Sequence, residues 1–196
     1  MIARQRAGLA AATFAAAALL ACGDPNAPRA SLENYADTLA LYALNGAPRG
    51  APTAIRILSG VFGSAAVTTE ASFDLDVAVD LDDQGQPRLY PVRAIASPVL
   101  SRHPVGLLTD NRAFDAIPEA PDKGYVLDSA KTVAVGEVVL IQSSDPQACG
   151  NFFGGSVYAK MVIDSVRTAT RQIFLRITAD PNCGFRSFVI PGPPTD

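Results

Sequence analysis

The chain has 196 residues, with 16 Lys and Arg against 19 Asp and Glu and a formal net charge of −3. No cluster of Lys and Arg occurs beyond the N-terminal segment, which argues against a nucleic-acid-binding protein, since such proteins need a basic patch. Gly and Pro number 15 each, which favours many turns and short elements within a single domain long enough to bury a core.

The N-terminal segment has the three parts of an export signal. Arg4 and Arg6 give a positive start, residues 7–20 form an uncharged apolar run, and the small residue Ala21 precedes Cys22. A run of about 14 residues is shorter than the roughly 20 that cross a bilayer, so we do not expect a lasting transmembrane helix.

The sequence Leu19-Leu20-Ala21-Cys22 resembles the lipobox of bacterial lipoproteins. In that family the cysteine receives a diacylglyceryl group, a peptidase cuts before it, and the new amine is usually acylated, with palmitate as a typical acyl group. The resemblance implies that residues 1–21 are a signal peptide and that Cys22 is the lipid attachment residue. Two or three acyl chains give the stable anchoring that one chain does not. A plain secretory signal with a chance cysteine is the alternative.

The residues after Cys22 predict where the protein resides. In enteric-type sorting, Asp directly after the cysteine retains a lipoprotein at the inner membrane, whereas here Gly23 follows and Asp24 comes one position later. We therefore favour the outer membrane, with the domain facing the periplasm or the exterior. Residues 22–30 are polar and Pro-containing and predict a flexible tether, followed by one β-rich exported domain over residues 31–196.

The first predicted elements come from the spacing of apolar residues. Residues 31–44 fit both a helical face and an alternating strand, and we predict a short helical turn near 32–36 and then a strand over about 38–44. The sequence SFDLDVAVDL at 72–81 places apolar residues on one face and Asp74, Asp76 and Asp80 on the other, which is typical of a half-buried strand with a solvated acidic face. Further strands are predicted at 53–58 and, with Pro91 at an edge or bulge, at 88–95.

The second half of the chain also predicts strands. Residues 96–123 are irregular apart from a short strand at 105–108, and residues 132–142 form one or two strands around Gly136. The runs 156–166 and 171–179 predict a hairpin, and 185–190 a last short strand. The fold is therefore expected to be all-β, an antiparallel sandwich or barrel-like, with at most one short N-terminal helix. The blocks YAKMVIDS and DPNCGFRS are similar to uncharacterised bacterial lipoproteins, which implies no particular activity.

With Cys22 assigned to lipid, Cys149 and Cys183 remain. Export brings them to an oxidising compartment, so we predict that they form a disulfide. They flank the predicted hairpin, and the bridge would close its open end. Free thiols or a metal site are the alternatives, although two cysteines and one histidine are too few for the usual four-ligand zinc site.

The acidic residues at 74–83 raise the question of calcium. Asp80 to Gly85 partly matches the start of an EF-hand loop, but the twelfth position is Pro91 where the loop needs Glu, so the match fails. A solvated strand face leading into a hairpin turn is the simpler interpretation, with some other calcium site as the alternative. We expect no metal and no cofactor.

His103 is the only histidine, so a Ser-His-Asp or Cys-His mechanism would have to use it. It lies in Ser101-Arg102-His103-Pro104, without a nucleophile elbow, and no P-loop, zinc-protease or dinucleotide motif occurs. We interpret it as a surface or turn histidine and predict no catalytic residues. Many Asp residues could in principle form a glycosidase pair, but nothing in the sequence singles one out.

Two classes of function remain. The first is a lipid-anchored cell-envelope protein with a non-catalytic binding or structural role, whose partner is an envelope protein or glycan; Phe152 and Phe153 in the loop 150–155 are candidate contacts. The second is a cell-envelope hydrolase with an unrecognised active site around His103 or the Asp residues at 74–83. A cleft that holds His103 beside a Ser or an Asp favours the hydrolase. A smooth sandwich with an exposed apolar loop favours the binding role.

Overall fold

The computed structural model describes residues 30–58, 63–70, 72–96, 102–145, 149 and 155–190, and its strands form two antiparallel sheets. Sheet A has the spatial order β1 (Tyr35–Tyr42), β11 (Gln172–Asp180), β10 (Val157–Arg167), β9 (Val138–Ser143), β6 (Val105–Asp110) and β7 (Val126–Leu127). Sheet B has the order β3 (Ala65–Val67), β2 (Ala54–Arg56), β4 (Val77–Leu81), β5 (Pro87–Pro91) and β8 (Lys131–Thr132). The predicted all-β, sandwich-like fold is confirmed.

The main hydrophobic core lies between the two sheets. Alternate side chains of β9, β10 and β11 point inward, and they meet the apolar residues of β2, β4 and β5. The largest fully buried members include Leu41, Ile55, Leu89, Ile141, Met161, Ile163, Ile173 and Leu175. The core therefore depends on the same alternation that the sequence shows in its long apolar runs.

The predicted hairpin at 156–179 is confirmed as β10 and β11. Its two strands pair from Tyr158 opposite Asp180 to Arg167 opposite Gln172, with a bulge between Ile163 and Ser165. The turn ends at Arg171, whose φ of +53° lies in the left-handed region that non-glycine residues rarely adopt. From this position the Arg171 side chain reaches sheet B, where it pairs with Asp80 of β4.

The disulfide between Cys149 and Cys183 is present, with a Cα–Cα separation of 5.5 Å. It joins the segment before β10 to the segment after β11, and so closes the open end of the hairpin as predicted. The bridge links residues 34 positions apart, and the chain-entropy model gives such a loop a stabilisation of about 4 kcal/mol.

Three sequence-based expectations about sheet B and β1 are wrong. The helical turn expected near 32–36 is absent, because β1 begins at Tyr35 and pairs with β11 from its first residue. The strand expected at 88–95 stops at Pro91, and a one-turn helix α1 (Val92–Ile95) follows. The strand expected at 72–81 begins only at Val77, because Phe73 has a φ of +47° and turns the chain before it.

An outer layer covers part of the face of sheet A that points away from the core. The outer layer consists of residues 113–125, which include a 3₁₀ turn at Phe114–Ala116, and residues 185–190. The strand expected at 185–190 is reduced to a single bridge between Glu119 and Ser187. The layer lies close to the sheet at Gly106, where an added Cβ would come within 2.7 Å of the Tyr125 side chain.

A second, smaller hydrophobic cluster holds the outer layer on sheet A. Its buried residues are Ile117, Ala120, Val138, Leu140, Tyr158, Val162 and Phe188. None of the helices among the described residues is long and apolar enough to span a membrane.

Candidate functional site

Asp76 lies just before β4, and its carboxylate joins several parts of the fold. Its Oδ2 accepts the backbone N–H of Ile57 at 2.7 Å, and its Oδ1 accepts the hydroxyl of Ser143 and the Nε2–H of His103, the latter at 2.8 Å. Its backbone C=O also accepts the N–H of Val92. Only 4% of Asp76 is exposed, so the sequence-based interpretation of a solvated acidic face is wrong here.

His103 is likewise not a surface histidine, because its side chain is only 11% exposed and pairs with Asp76. His103 lies two residues before β6 and Ser143 ends β9, both strands of sheet A, whereas Asp76 directly precedes β4 of sheet B. The three side chains therefore tie the two sheets together at one end of the sandwich. We call them the inter-sheet cluster.

The inter-sheet cluster contains the residue types of a Ser-His-Asp mechanism, but in a different order. In that mechanism the imidazole lies between the hydroxyl and the carboxylate, so that it can remove the hydroxyl proton. Here Oδ1 of Asp76 lies between Ser143 and His103, and both donate to it. Ser143 is completely buried. In this arrangement the Ser143 hydroxyl donates to the carboxylate and not to the imidazole.

Asp80 on β4 is a second buried carboxylate, 4% exposed, and it is also fully engaged. It accepts hydrogen bonds from the backbone N–H and the side chain of Asn45, from the backbone N–H of Leu81, and from Arg171 at 3.0 Å. Arg171 also donates to the carbonyl of Asn45. Arg171 thus connects the turn of the β10–β11 hairpin to sheet B.

The remaining acidic residues of the 74–83 run are dispersed. Asp74 is exposed and pairs with Arg56, and Asp82 Oδ1 accepts the backbone N–H groups of Gln84 and Gln86 in the turn before β5. Among the described residues, no group of three or more His, Cys, Asp or Glu side chains is arranged to hold a metal ion.

A cavity of about 480 Å³ opens on the outer face of sheet A, beside the outer layer. Its walls come from β1, β10, β11, the 3₁₀ turn and residues 188–190, and they include Phe114, Ile117, Lys160, Arg176, Phe188 and Ile190. A second cavity of about 360 Å³ lies between residues 44–51 and 68–70. Neither cavity is lined by the inter-sheet cluster. We call the first one the outer-face cavity.

Lys160 forms the base of the outer-face cavity and is only 5% exposed. Its Nζ donates to the carbonyl oxygens of Phe114 and Ile117, both at 2.9 Å, and lies 4.7 Å from the ring centroid of Phe114 and 5.5 Å from that of Phe188. Burial lowers the pKa of Lys160, and the nearby Asp115 opposes this shift. The ammonium therefore holds the outer layer by carbonyl and cation–π contacts.

Two further charged residues line the outer-face cavity near Lys160. Arg176 forms a two-pronged pair with Asp164 at about 3.0 Å and lies over the Phe114 ring at 5.0 Å. This pairing raises the pKa of Arg176. Asp115, in the 3₁₀ turn, contributes the opposite charge. The cavity thus combines aromatic and aliphatic walls with two cationic side chains.

Sequence reasoning missed Lys160, although a signal is present. Lys160 is the single charge within the apolar run Val157–Ile163, and its neighbour Met161 points into the core. The outward residues on either side of it, Tyr158 and Val162, are apolar like the inward ones, and apolar residues on both faces of a strand indicate that both faces are covered. Cys22 and the loop residues Phe152 and Phe153, which the sequence singles out, lie outside the described residues.

Comparison of the chain with protein-family models, with curated proteins and with solved structures finds no match.

Proposed function

We propose that the chain is a lipid-anchored protein of the bacterial cell envelope whose β-sandwich has a non-catalytic binding role. The observation that carries the binding role is the outer-face cavity. Its volume of about 480 Å³ lies within the roughly 300–1,000 Å³ of small-molecule sites, and it combines apolar walls with a few polar groups, as such sites do. Cys22 carries the lipid anchor, and the outer membrane is favoured over the inner membrane.

The way in which the chain enters the sandwich supports anchoring. Asn182 accepts the backbone N–H groups of Ser31 and Leu32 at 2.9 Å, and Asn34 donates to the carbonyl oxygens of Ser187 and Val189. The domain end of the tether is therefore fixed beside residues 185–190. Nine residues from Cys22 to Ala30 span at most about 30 Å when extended, so this side of the domain stays near the membrane.

Exposed apolar side chains gather on the same side. Leu32 is 41% exposed, Val189 54% and Ile190 46%. The hydrogen bonds from Asn34 and Asn182 bring these residues close together, next to the start of the tether. Exposed apolar surface is favourable against a membrane interface, and this supports a domain that rests on the bilayer.

The engagement of the candidate catalytic groups supports a non-catalytic role. Asp76, His103 and Asp80 are all held by hydrogen bonds within the fold, and Asp76 separates Ser143 from His103. The alternative function is a cell-envelope hydrolase, and the closeness of His103 to both an Asp and a Ser is the observation that favours it. Such an enzyme would have to rearrange this cluster to expose the Ser143 hydroxyl.

Two experiments test the proposal. In a bacterial host that processes lipoproteins, the wild type should enter the detergent phase as lipidated protein, and Cys22→Ser should not; lipidated Cys22→Ser protein would contradict the anchor.

The full chain is then screened against envelope peptides, esters and glycans, with His103→Ala and Ser143→Ala as variants that are first checked for folding by circular dichroism. Turnover that a folded variant loses would establish the hydrolase instead. No turnover, with a specific envelope protein or glycan recovered by crosslinking, supports the binding role.

A further inference from the structure

The base of the outer-face cavity holds a buried cation without a carboxylate partner. Lys is rarely buried in proteins unless it is paired, because removing an ammonium from water is costly. Among the described residues no ion pair includes Lys160, and its hydrogen bonds go to the carbonyls of Phe114 and Ile117. An ammonium has three N–H donors, and the two carbonyls take two of those of Lys160.

The ion pairs around the cavity favour an anion as the ligand of Lys160. Arg176 in the wall is already paired with Asp164, and Asp115 is the carboxylate that the 3₁₀ turn contributes. Asp37 also belongs to the lining, but its carboxylate accepts the backbone N–H of Ser64 at 3.0 Å, on the side of β1 that faces sheet B. Lys160 is therefore the cation of this lining that forms no ion pair among the described residues, and an oxyanion head group would pair with it.

Apart from Thr38 and Thr178, the uncharged residues that line the cavity are apolar. Phe114, Ile117 and Phe188 form its walls, and Val189 and Ile190 form its exposed rim. A ligand with a charged head and a hydrocarbon body would place its head on Lys160 and its body against these side chains. Neither a purely polar ion nor a purely apolar molecule would use both parts of the cavity.

The rim of the cavity also belongs to the surface beside the tether. Asn34, four residues after the end of the tether at Ala30, donates to the carbonyl of Val189, and Leu32 is exposed next to it. An anchored domain therefore holds the mouth of this cavity near the membrane, where single-chain amphiphiles partition.

We propose that the outer-face cavity binds a single-chain amphipathic anion, with its oxyanion head group on Lys160 and its hydrocarbon chain between Phe188 and Ile190. This assignment rests on the proposed binding function and names the chemistry of its ligand. The head group is a carboxylate or a phosphate monoester, two oxyanions that make the same charge-assisted hydrogen bond with an ammonium.

The test is calorimetric titration of the full lipidated chain in phosphatidylcholine nanodiscs, with titration of empty nanodiscs subtracted. The probes share one chain length and are octanoate, octyl phosphate, octanol and octylamine. We expect octanoate or octyl phosphate to bind at least about tenfold more tightly than octanol and octylamine, since a hydrogen bond to a charged group is worth more than this factor. Comparison of the two anions identifies the preferred head group.

Variants separate the head-group contact from general affinity. Lys160→Met should reduce the anion preference at least about tenfold, and Lys160→Arg, which keeps the charge, should retain most of it. Ile190→Ser should weaken all four probes together, and Val135→Ser, which changes an equally exposed apolar residue in the turn before β9, should change none. If Lys160→Met fails to fold, Lys160→Arg and Ile190→Ser still decide the question.

Equal binding of octanol and octanoate, or an anion preference that survives in folded Lys160→Met, would overturn the assignment. In that case the anchored binding role still stands if the protein stays lipidated and inactive. Conversely, conversion of a bound octyl probe to a product would contradict the non-catalytic role and leave the site in place.

Discussion

The inter-sheet cluster and the outer-face cavity both bury a charged group in the same sandwich, but they satisfy it differently. The carboxylate of Asp76 accepts hydrogen bonds from Ile57, Ser143 and His103, which come from both sheets. The ammonium of Lys160 meets the carbonyls of Phe114 and Ile117 and the rings of Phe114 and Phe188, and it forms no ion pair among the described residues. A charge that the protein satisfies completely indicates a structural role, whereas an incompletely satisfied charge beside a cavity indicates a place for a ligand.

The largest expected effect is on Asp76. Asp76→Ala leaves the hydroxyl of Ser143, the imidazole of His103 and the N–H of Ile57 without their buried acceptor, and such a loss costs about 3–5 kcal/mol. We expect a decrease of this size in the free energy of unfolding by urea. Asp83→Ala, at an exposed position of the same acidic run, is the control and should change the free energy by less than about 0.5 kcal/mol. Equal effects of the two substitutions would contradict a structural role for Asp76.

The next effect concerns Arg171, which satisfies Asp80 in the way that the cluster satisfies Asp76. Arg171→Ala removes the bonds to Asp80 and Asn45, and because Arg171 is about one-third exposed we expect a loss of only about 1–2 kcal/mol. Arg112, which pairs with the adjacent Asp110 on the surface, provides the control. A smaller loss for Arg171→Ala than for Arg112→Ala would show that the hairpin turn does not depend on this contact.

Substitution of Lys160 should have a small effect at neutral pH. Lys160→Met removes the bonds to Phe114 and Ile117 but also the cost of burying the ammonium, and the two changes oppose each other. We expect a change in the free energy of unfolding within about 1 kcal/mol, measured in urea. A loss comparable to that of Asp76→Ala would mean that Lys160 is a structural residue like Asp76.

The smallest effect is the pH dependence that Lys160 contributes. Burial lowers its pKa in the folded state below the usual 10.5, while Asp115 on the outer layer opposes the shift and Arg176 on β11 lies nearby. At pH values between the lowered folded-state pKa and 10.5, Lys160 is protonated more often in the unfolded chain than in the folded protein. The contribution of Lys160 to the free energy of unfolding therefore rises with pH in this range. The stability of the wild type relative to Lys160→Met should therefore increase through this window, and a decrease would contradict the direction of the shift.

The sequence predicts the hairpin and the disulfide well because both follow from local features. The runs that become β10 and β11 are long, apolar and separated by a short polar turn, and Cys149 and Cys183 lie on either side of them. Strand alternation identifies which residues share a face of a strand. The same alternation, repeated along the chain, predicts the all-β class.

The sequence does not predict what covers each face, because that depends on distant segments. Alternation correctly sets Asp76 and Asp80 apart from their apolar neighbours, but Ser143 and Arg171, which bury them, lie far away along the chain. The outer layer over Lys160 is rich in proline and has no periodic pattern, so nothing local indicates that it packs on sheet A. The partners of both buried charges therefore required the tertiary structure.

Amide hydrogen exchange of the full lipidated chain in nanodiscs, with and without saturating octanoate, tests most directly whether the outer-face cavity or the inter-sheet cluster binds the ligand. We predict that octanoate slows exchange in residues 113–118 and 188–190 of the outer layer and leaves residues 102–105 and 141–144, around His103 and Ser143, unchanged. Slower exchange around His103 and Ser143, with none in the outer layer, would contradict the account and identify the inter-sheet cluster as the site.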